Sequence, residues 1–305
     1  MITTELYPAM GLGNQLWSYA VCRTIAMDRG LEFGIQSAHR FKGRRIMELD
    51  FGAPVRGRSS RSFSDRLPKG VEHYYRERER TNSFSGEFIP FFDPELARIA
   101  DNTKIDGYFQ SERYIRHRKL EISEWFTVHR EAPVDENLCV VSVRGGDYLT
   151  IESLALGQAF YQNAIAAMTK MRPDARFLVI TDDPAHAQRM LPDVETAQAS
   201  GPMFQERRLN RPRPFLGEHF ALLQQAPMLI IANSSYAWWG AWTNLGDPLV
   251  IAPKYWVRHN TSDGYWHAGD SLTQDWLWMD RQGQLSTAEE CAEELEAYRS
   301  RDASG

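Results

Sequence analysis

Apolar positions change period twice near the start of the chain. Residues 2–6 form a short apolar-leaning run that predicts a strand, and a glycine turn, Gly11-Leu12-Gly13-Asn14-Gln15, follows it. Leu16, Tyr19, Ala20, Thr24 and Met27 then recur at helical spacing, with Trp17, Val21 and Ile25 on a neighbouring face. That pattern predicts a helix buried on more than one side. Gly30 is a stop signal, and residues 31–35 read as the next strand. Further on, residues 104–114 read as a strand end, a turn and a helix.

The second half has a cleaner rhythm. Residues 138–143, 176–181, 228–232 and 249–252 are β-rich apolar runs, and residues 160–171, 184–190 and 236–245 have helical patterning. Strands alternating with helices predict an α/β fold with a parallel sheet covered on both faces. Ser286-Thr287-Ala288-Glu289 reads as a capping box opening an acidic C-terminal helix. Residues 130–137 are polar and contain Pro133, which places a domain boundary there. The expected division is 1–133, 134–275, and a helix and tail over 276–305.

Composition narrows the class. With 305 residues, 43% hydrophobic and 25% charged, two globular domains are expected and nothing in the composition argues for disorder. The balance of 35 basic against 40 acidic residues, net charge −5, argues against a nucleic-acid binder. Basic residues nevertheless crowd residues 40–66, among Gly, Ser and Pro, and this segment is expected to be an exposed loop, with contact to an anionic lipid headgroup or a phosphate-bearing acceptor as the alternative. Residues 76–80 alternate in charge and read as a solvated face. Three scattered cysteines suggest no disulfide framework and a reducing, cytoplasmic setting. No HExxH pair is present, so no metal site is expected. Neither a leader-like start nor a membrane-spanning apolar run is seen.

Four segments carry candidate chemistry. Gly11 and Gly13 allow close backbone approach of a ligand at a strand's carboxyl end, and Asn14 is either a helix cap or an amide facing substrate. Arg144-Gly145-Gly146-Asp147-Tyr148 ends a strand. Its guanidinium suits a diphosphate leaving group, and a strand-end salt bridge is the plainer alternative. Asp182-Asp183 is either a guanine-reading pair or a turn with a helix cap. Asn233-Ser234-Ser235-Tyr236 opens a helix whose free N–H groups form a ready anion site, or simply caps it. Trp238, Trp239 and Trp242 read as core.

These segments, together with Asp106-Gly107-Tyr108-Phe109-Gln110-Ser111 and the run from Ala232 to Trp242, resemble bacterial α1,2-fucosyltransferases over nearly all of residues 1–255. The resemblance implies a GT-B-like fold, two Rossmann-like domains facing a cleft, with the acceptor on the N-terminal side and GDP-sugar on the C-terminal side. It implies inverting, metal-independent transfer of fucose from GDP-fucose, with no other cofactor, to a galactose-containing glycan. Acceptors of the family include lipid-linked glycans, so any membrane association is expected to be peripheral, at the inner face. Arg144 would hold the β-phosphate, Ser234 and Ser235 the diphosphate, and Asp182 or Asp183 the guanine. Asn14 would lie near fucose or the acceptor hydroxyl. Gly11, Gly13, Gln15, Gln110, Asn233 and Tyr236 fall in the same motifs and are counted with the substrate-binding residues. Asp147 and Glu152 are the candidate proton acceptors.

One departure stands out. Where the family reads His-x-Arg-Arg-Gly-Asp-Tyr, this chain has Ser142 and Gly145 in place of the histidine and second arginine. Arg207, Arg208, Arg211 or Arg213 are offered as a replacement charge. Two alternatives stay open: a different linkage or GDP-sugar, and a non-catalytic binder of nucleotide or glycan.

Overall fold

The computed structural model describes residues 1–82, 86–197, 216–266 and 271–302. It divides into two compact units, one built on Met1–Phe126, the other on Thr127–His267 with Leu272–Ser304.

The first unit contains β1 (Ile2–Glu5), α1 (Leu12–Asp28), β2 (Phe33–Gln36), β3 (His73–Arg76), β4 (Glu79–Thr81), β5 (Phe88–Pro90), β6 (Thr103–Asp106) and α2 (Lys119–Trp125). Strands β2-β1-β6-β3 form an all-parallel sheet, and β4 and β5 form an antiparallel ribbon. Helix α1 is buried on several sides, as its two apolar faces predict. Tyr19 sits among the rings of Phe33, Phe51, Trp125 and Phe126. The helix starts earlier than Asn14. Gly11 is its N-cap, so Asn14 stands inside the first turn and does not cap it.

Beside β1 and β6 lies a buried ionic network. Lys104 Nζ is 3.4 Å from both Glu5 and Asp106, and donates to the carbonyls of Ser64 (2.8 Å) and Arg66 (3.3 Å). Asp106 also accepts from Tyr7 Oη, Tyr74 Oη and the Ser64 amide. Burial raises the Asp106 pKa, against the opposing pull of Lys104 and these donors. Glu5 accepts from the Ser60 amide at 2.7 Å and faces Arg40 at 3.6 Å. The basic segment is therefore an exposed loop, as expected, but one fastened from beneath.

The second unit runs β7 (Leu138–Val143), α3 (Gln158–Met171), β8 (Arg176–Thr181), α4 (Pro184–Met190), β9 (Glu195–Thr196), α5 (Leu216–Gln225), β10 (Met228–Ile230), α6 (Ser235–Trp242), β11 (Leu249–Pro253), β12 (Leu277–Met279), β13 (Leu285–Ser286) and α7 (Ala288–Asp302). Its sheet order is β13-β12-β11-β10-β7-β8-β9, parallel except for β13. Cys139, Val141, Val179, Met228, Ile230 and Ile251 are fully buried, which explains the unbroken apolar runs. The mixed α/β class with parallel sheets holds in both units. Among the described residues, no helix is long and apolar enough to cross a membrane.

Two ends differ from the sequence reading. The capping box is one residue later: Thr287 Oγ1 accepts from the Glu290 amide, and Glu290 Oε2 accepts from the Thr287 amide. Ser286 is the last residue of β13, paired with Trp278, and is not available as the cap. Helix α6 stops at Trp242. Thr243 Oγ1 turns back to the Trp239 carbonyl, and Asn244 Nδ2 donates to the carbonyls of Leu223 and Ala226.

Candidate active site

In open parallel sheets, ligands bind beyond the strands' carboxyl ends where the strand order reverses. In the second unit the chain runs outward from β7 to β8 and β9, then returns to place β10 on the other side of β7. The reversal lies between β7 and β10. Arg144 follows β7, Asp182 and Asp183 follow β8, and Asn233–Ser235 follow β10. Register pairs Ile230 with Val141 and Val143 with Thr181, so these three motifs emerge side by side.

Arg144 forms an ion pair with Asp182 and a longer one, 3.4 Å, with Asp147. Its guanidinium lies 4.4 Å from the centre of the Tyr148 ring, and its side chain is 25% exposed. Asp182 accepts from the Gly145 amide at 2.8 Å as well. The plainer reading of this arginine, a strand-end salt bridge, is thus what the geometry contains. Asp183 takes the capping role: its Oδ1 accepts from the His186 amide at 3.0 Å and opens α4. Glycine at 145 has a local reason. A Cβ there would come within 2.4 Å of the Asp183 Cβ, so a larger residue would push on the α4 cap.

Tyr148 ties the two turns together. Its hydroxyl donates to the Asn233 carbonyl at 3.4 Å. Asn233 is buried and its Nδ2 holds the Leu154 carbonyl at 3.0 Å, while its Oδ1 is buried without a partner. Ser234 precedes α6 with no side-chain bond to the helix amides, and Ser235 is its first residue. Tyr236 Oη donates to the Leu216 carbonyl, which makes it a brace for α5. Asp147 is 69% exposed, and Glu152 is exposed with its carbonyl held by Asn260. His219 on α5 was not singled out in the sequence. Burial pulls its pKa down to about 4 against the opposing charge of Asp182. A lone histidine in a short apolar helix carries no pattern that would mark it. Arg207, Arg208, Arg211 and Arg213 lie outside the described residues.

The first unit has its own reversal, between β1 and β6. Asn14, after β1, accepts a 3.0 Å hydrogen bond from Gln110, after β6. Gln15 is buried, and both ends of its amide hold loop backbone, at Arg40 and Lys42, so its role here is scaffolding. Gly11 has open space where a Cβ would stand, while Gly13 is buried within α1. Glu77 is a second residue that sequence reasoning missed, since residues 76–80 looked solvated. Its two oxygens each accept at 2.8 Å, from the amides of Tyr108 and Phe109. It thereby holds Phe109 in a left-handed conformation, φ 50°, immediately before Gln110. Burial pushes the Glu77 pKa up to about 7, outweighing the two amide bonds that favour the charged form. No local motif betrays it, because its partners lie 31 and 32 residues away.

Comparison with known proteins bears on this arrangement. The family model described as "Glycosyl transferase family 11" matches residues 103–279. An Escherichia coli protein named alpha-1,2-colitosyltransferase is 25% identical over 300 residues, covering 90% of this chain and 97% of its own. The Escherichia coli O-antigen biosynthesis glycosyltransferase WbnK is 28% identical over 293 residues, covering 82% and 93%. The solved structure of KpsC, a beta Kdo 2,7 transferase from Thermosulfurimonas dismutans, aligns over 98% of this chain and 99% of that one. Its TM-score of 0.29 at 11% identity carries no argument.

Proposed function

The chain belongs to glycosyl transferase family 11, and on that premise we propose that this glycosyltransferase moves L-fucose from GDP-fucose to a glycan hydroxyl, galactose O2 in the first instance, with inversion and without a metal. The observation that carries the reading is the emergence of Arg144, Asp182 and Asn233–Ser235 side by side at the strand-order reversal. A guanidinium beside the start of a helix whose Ser234 makes no side-chain cap suits a pyrophosphate.

In the proposed step the acceptor oxygen bonds to the anomeric carbon as that carbon's bond to the β-phosphate oxygen breaks. The electron pair leaves on GDP, and the acceptor proton passes to a carboxylate, Asp147 or Glu152. Arg144 turns from Asp182 to the β-phosphate, Ser234 and Ser235 take the diphosphate, and the released Asp182 faces the guanine. Stabilising the departing charge supplies most of the acceleration. On the acceptor side, Asn14 and Gln110 orient the sugar hydroxyls.

The test is turnover of GDP-fucose with soluble β-galactosides, with linkage analysis of the product. Arg144→Ala is expected to lower kcat/KM by about 10²–10³-fold, and chelators are expected to leave turnover unchanged. Wild-type turnover in Arg144→Ala would remove the proposal. Asp147→Asn and Glu152→Gln separate the two proton acceptors. The second reading is colitosyl transfer, favoured by the name of one relative. Colitose is fucose without its 3-hydroxyl, so faster use of GDP-colitose than of GDP-fucose would decide for it. Binding of GDP without turnover on any donor would decide for a non-catalytic protein.

A further inference from the structure

Residues 40–69 hold nine basic and three acidic residues in a chain of net charge −5. Arg40 faces Glu5, and Arg44 donates to the Ala38 carbonyl. Among the described residues, by contrast, the side chains of Arg45, Arg56, Arg58, Arg61, Arg66 and Lys69 have no carboxylate or hydrogen-bond partner, and all six are exposed. Unpaired surface cations are ordinary singly. Six in one loop, against three carboxylates in the same segment, leave an excess of positive charge that an anionic surface would complement.

The loop is also held in one shape, which a merely solvated loop does not require. The Lys69 amide bonds the Arg56 carbonyl at 2.7 Å, joining the backbone of those two residues, and Gln36 Nε2 holds the Arg58 carbonyl at 3.3 Å. From beneath, Lys104 Nζ holds the carbonyls of Ser64 and Arg66, Glu5 holds the Ser60 amide and Asp106 the Ser64 amide. The buried ions grip backbone, which leaves the arginine side chains outward.

We propose that this loop is an electrostatic docking face for an anionic lipid bilayer. Each Lys or Arg brought near such a surface contributes about 1 kcal/mol, and the attraction is lost within a Debye length of about 10 Å at moderate salt. Six such residues give reversible, salt-sensitive binding that needs no spanning segment. The face belongs to the unit proposed to take the acceptor, but the inference does not depend on the identity of the donor.

The experiment is co-sedimentation of the full chain with phosphatidylcholine vesicles, with and without about one-third phosphatidylglycerol, at low salt and at about 0.5 M NaCl. Binding to the anionic vesicles only, with release at high salt, is expected. Arg56→Glu, Arg58→Glu and Lys69→Glu combined should lower the partition coefficient by on the order of 100-fold or more. Arg98→Glu, an exposed cation elsewhere with a Glu95 partner, should not. The triple variant should keep the wild-type melting temperature and turnover of a soluble β-galactoside, so that failure of docking and failure of the transferase reading remain distinct. Equal binding to neutral vesicles, or undiminished binding by the triple variant, overturns the proposal. So does displacement by millimolar pyrophosphate at matched ionic strength, which would make the loop a site for free phosphate groups.

Discussion

Two opposing influences meet at the Glu77 carboxyl. Two backbone amides favour its charge and burial opposes it more strongly, raising the pKa from 4.5 to about 7. The folded protein therefore holds this proton more tightly than the unfolded chain does. Its contribution is fully present below pH 4.5, is lost as pH rises towards 7, and the loss totals roughly 3 kcal/mol. Glu77→Gln should flatten the fall in melting temperature between about pH 5 and about pH 8. An unchanged slope would mean that another group titrates. The glycines divide the same way, by what stands beside them. Gly11 has negative φ and open space around it, so Gly11→Ala should keep the melting temperature, and a drop in turnover alone would mark a ligand's close approach. Gly145→Ala presses on Asp183 and should cost about 1–3 kcal/mol by overpacking, read as a lower melting temperature.

At the scale of elements, α7 depends on a reciprocal cap. Thr287→Ala should cost about 1 kcal/mol of stability, while Ser286→Ala leaves the cap intact; chemical denaturation of both variants distinguishes them. The one-residue error in reading that cap is instructive. Ser286 and Thr287 are equivalent as local signals, and only the pairing of Ser286 with Trp278, eight residues upstream, decides between them. The same distinction governs the rest of the chain. The bounds of β7 and β8 were legible because buried parallel strands need unbroken apolar runs. The strand-end motifs were legible because glycine, serine and arginine announce turns and helix starts. What could not be read was pairing across the sheet. Arg144 meets Asp182 38 residues later, and Glu77 meets Tyr108 31 residues later, because neighbouring strands bring them together. A motif reveals which groups are present at a strand's end; only the strand order reveals whom they face.

For the whole molecule, the buried ions of the first unit are a point where losing one partner is costly. Lys104 is fully buried and serves two carboxylates and two carbonyls. Lys104→Met leaves the buried Asp106 without a cation and Glu5 with Arg40 alone, and should cost about 3–5 kcal/mol. A melting temperature within two degrees or so of wild type would show that water or protonation compensates. Because this lysine also grips the loop above it, the variant should make residues 58–66 cut more readily in limited proteolysis. The loop has one further consequence. Residues 40–69 carry a net charge of +6 in a chain of −5, which leaves −11 on the remaining residues, so this loop and the rest of the chain respond to a charged surface with opposite sign. In the field of a charged sheet it feels a torque as well as a pull. It would be turned the right way round before anything touches, and the fraction of collisions that succeed would rise with the gradient of that field.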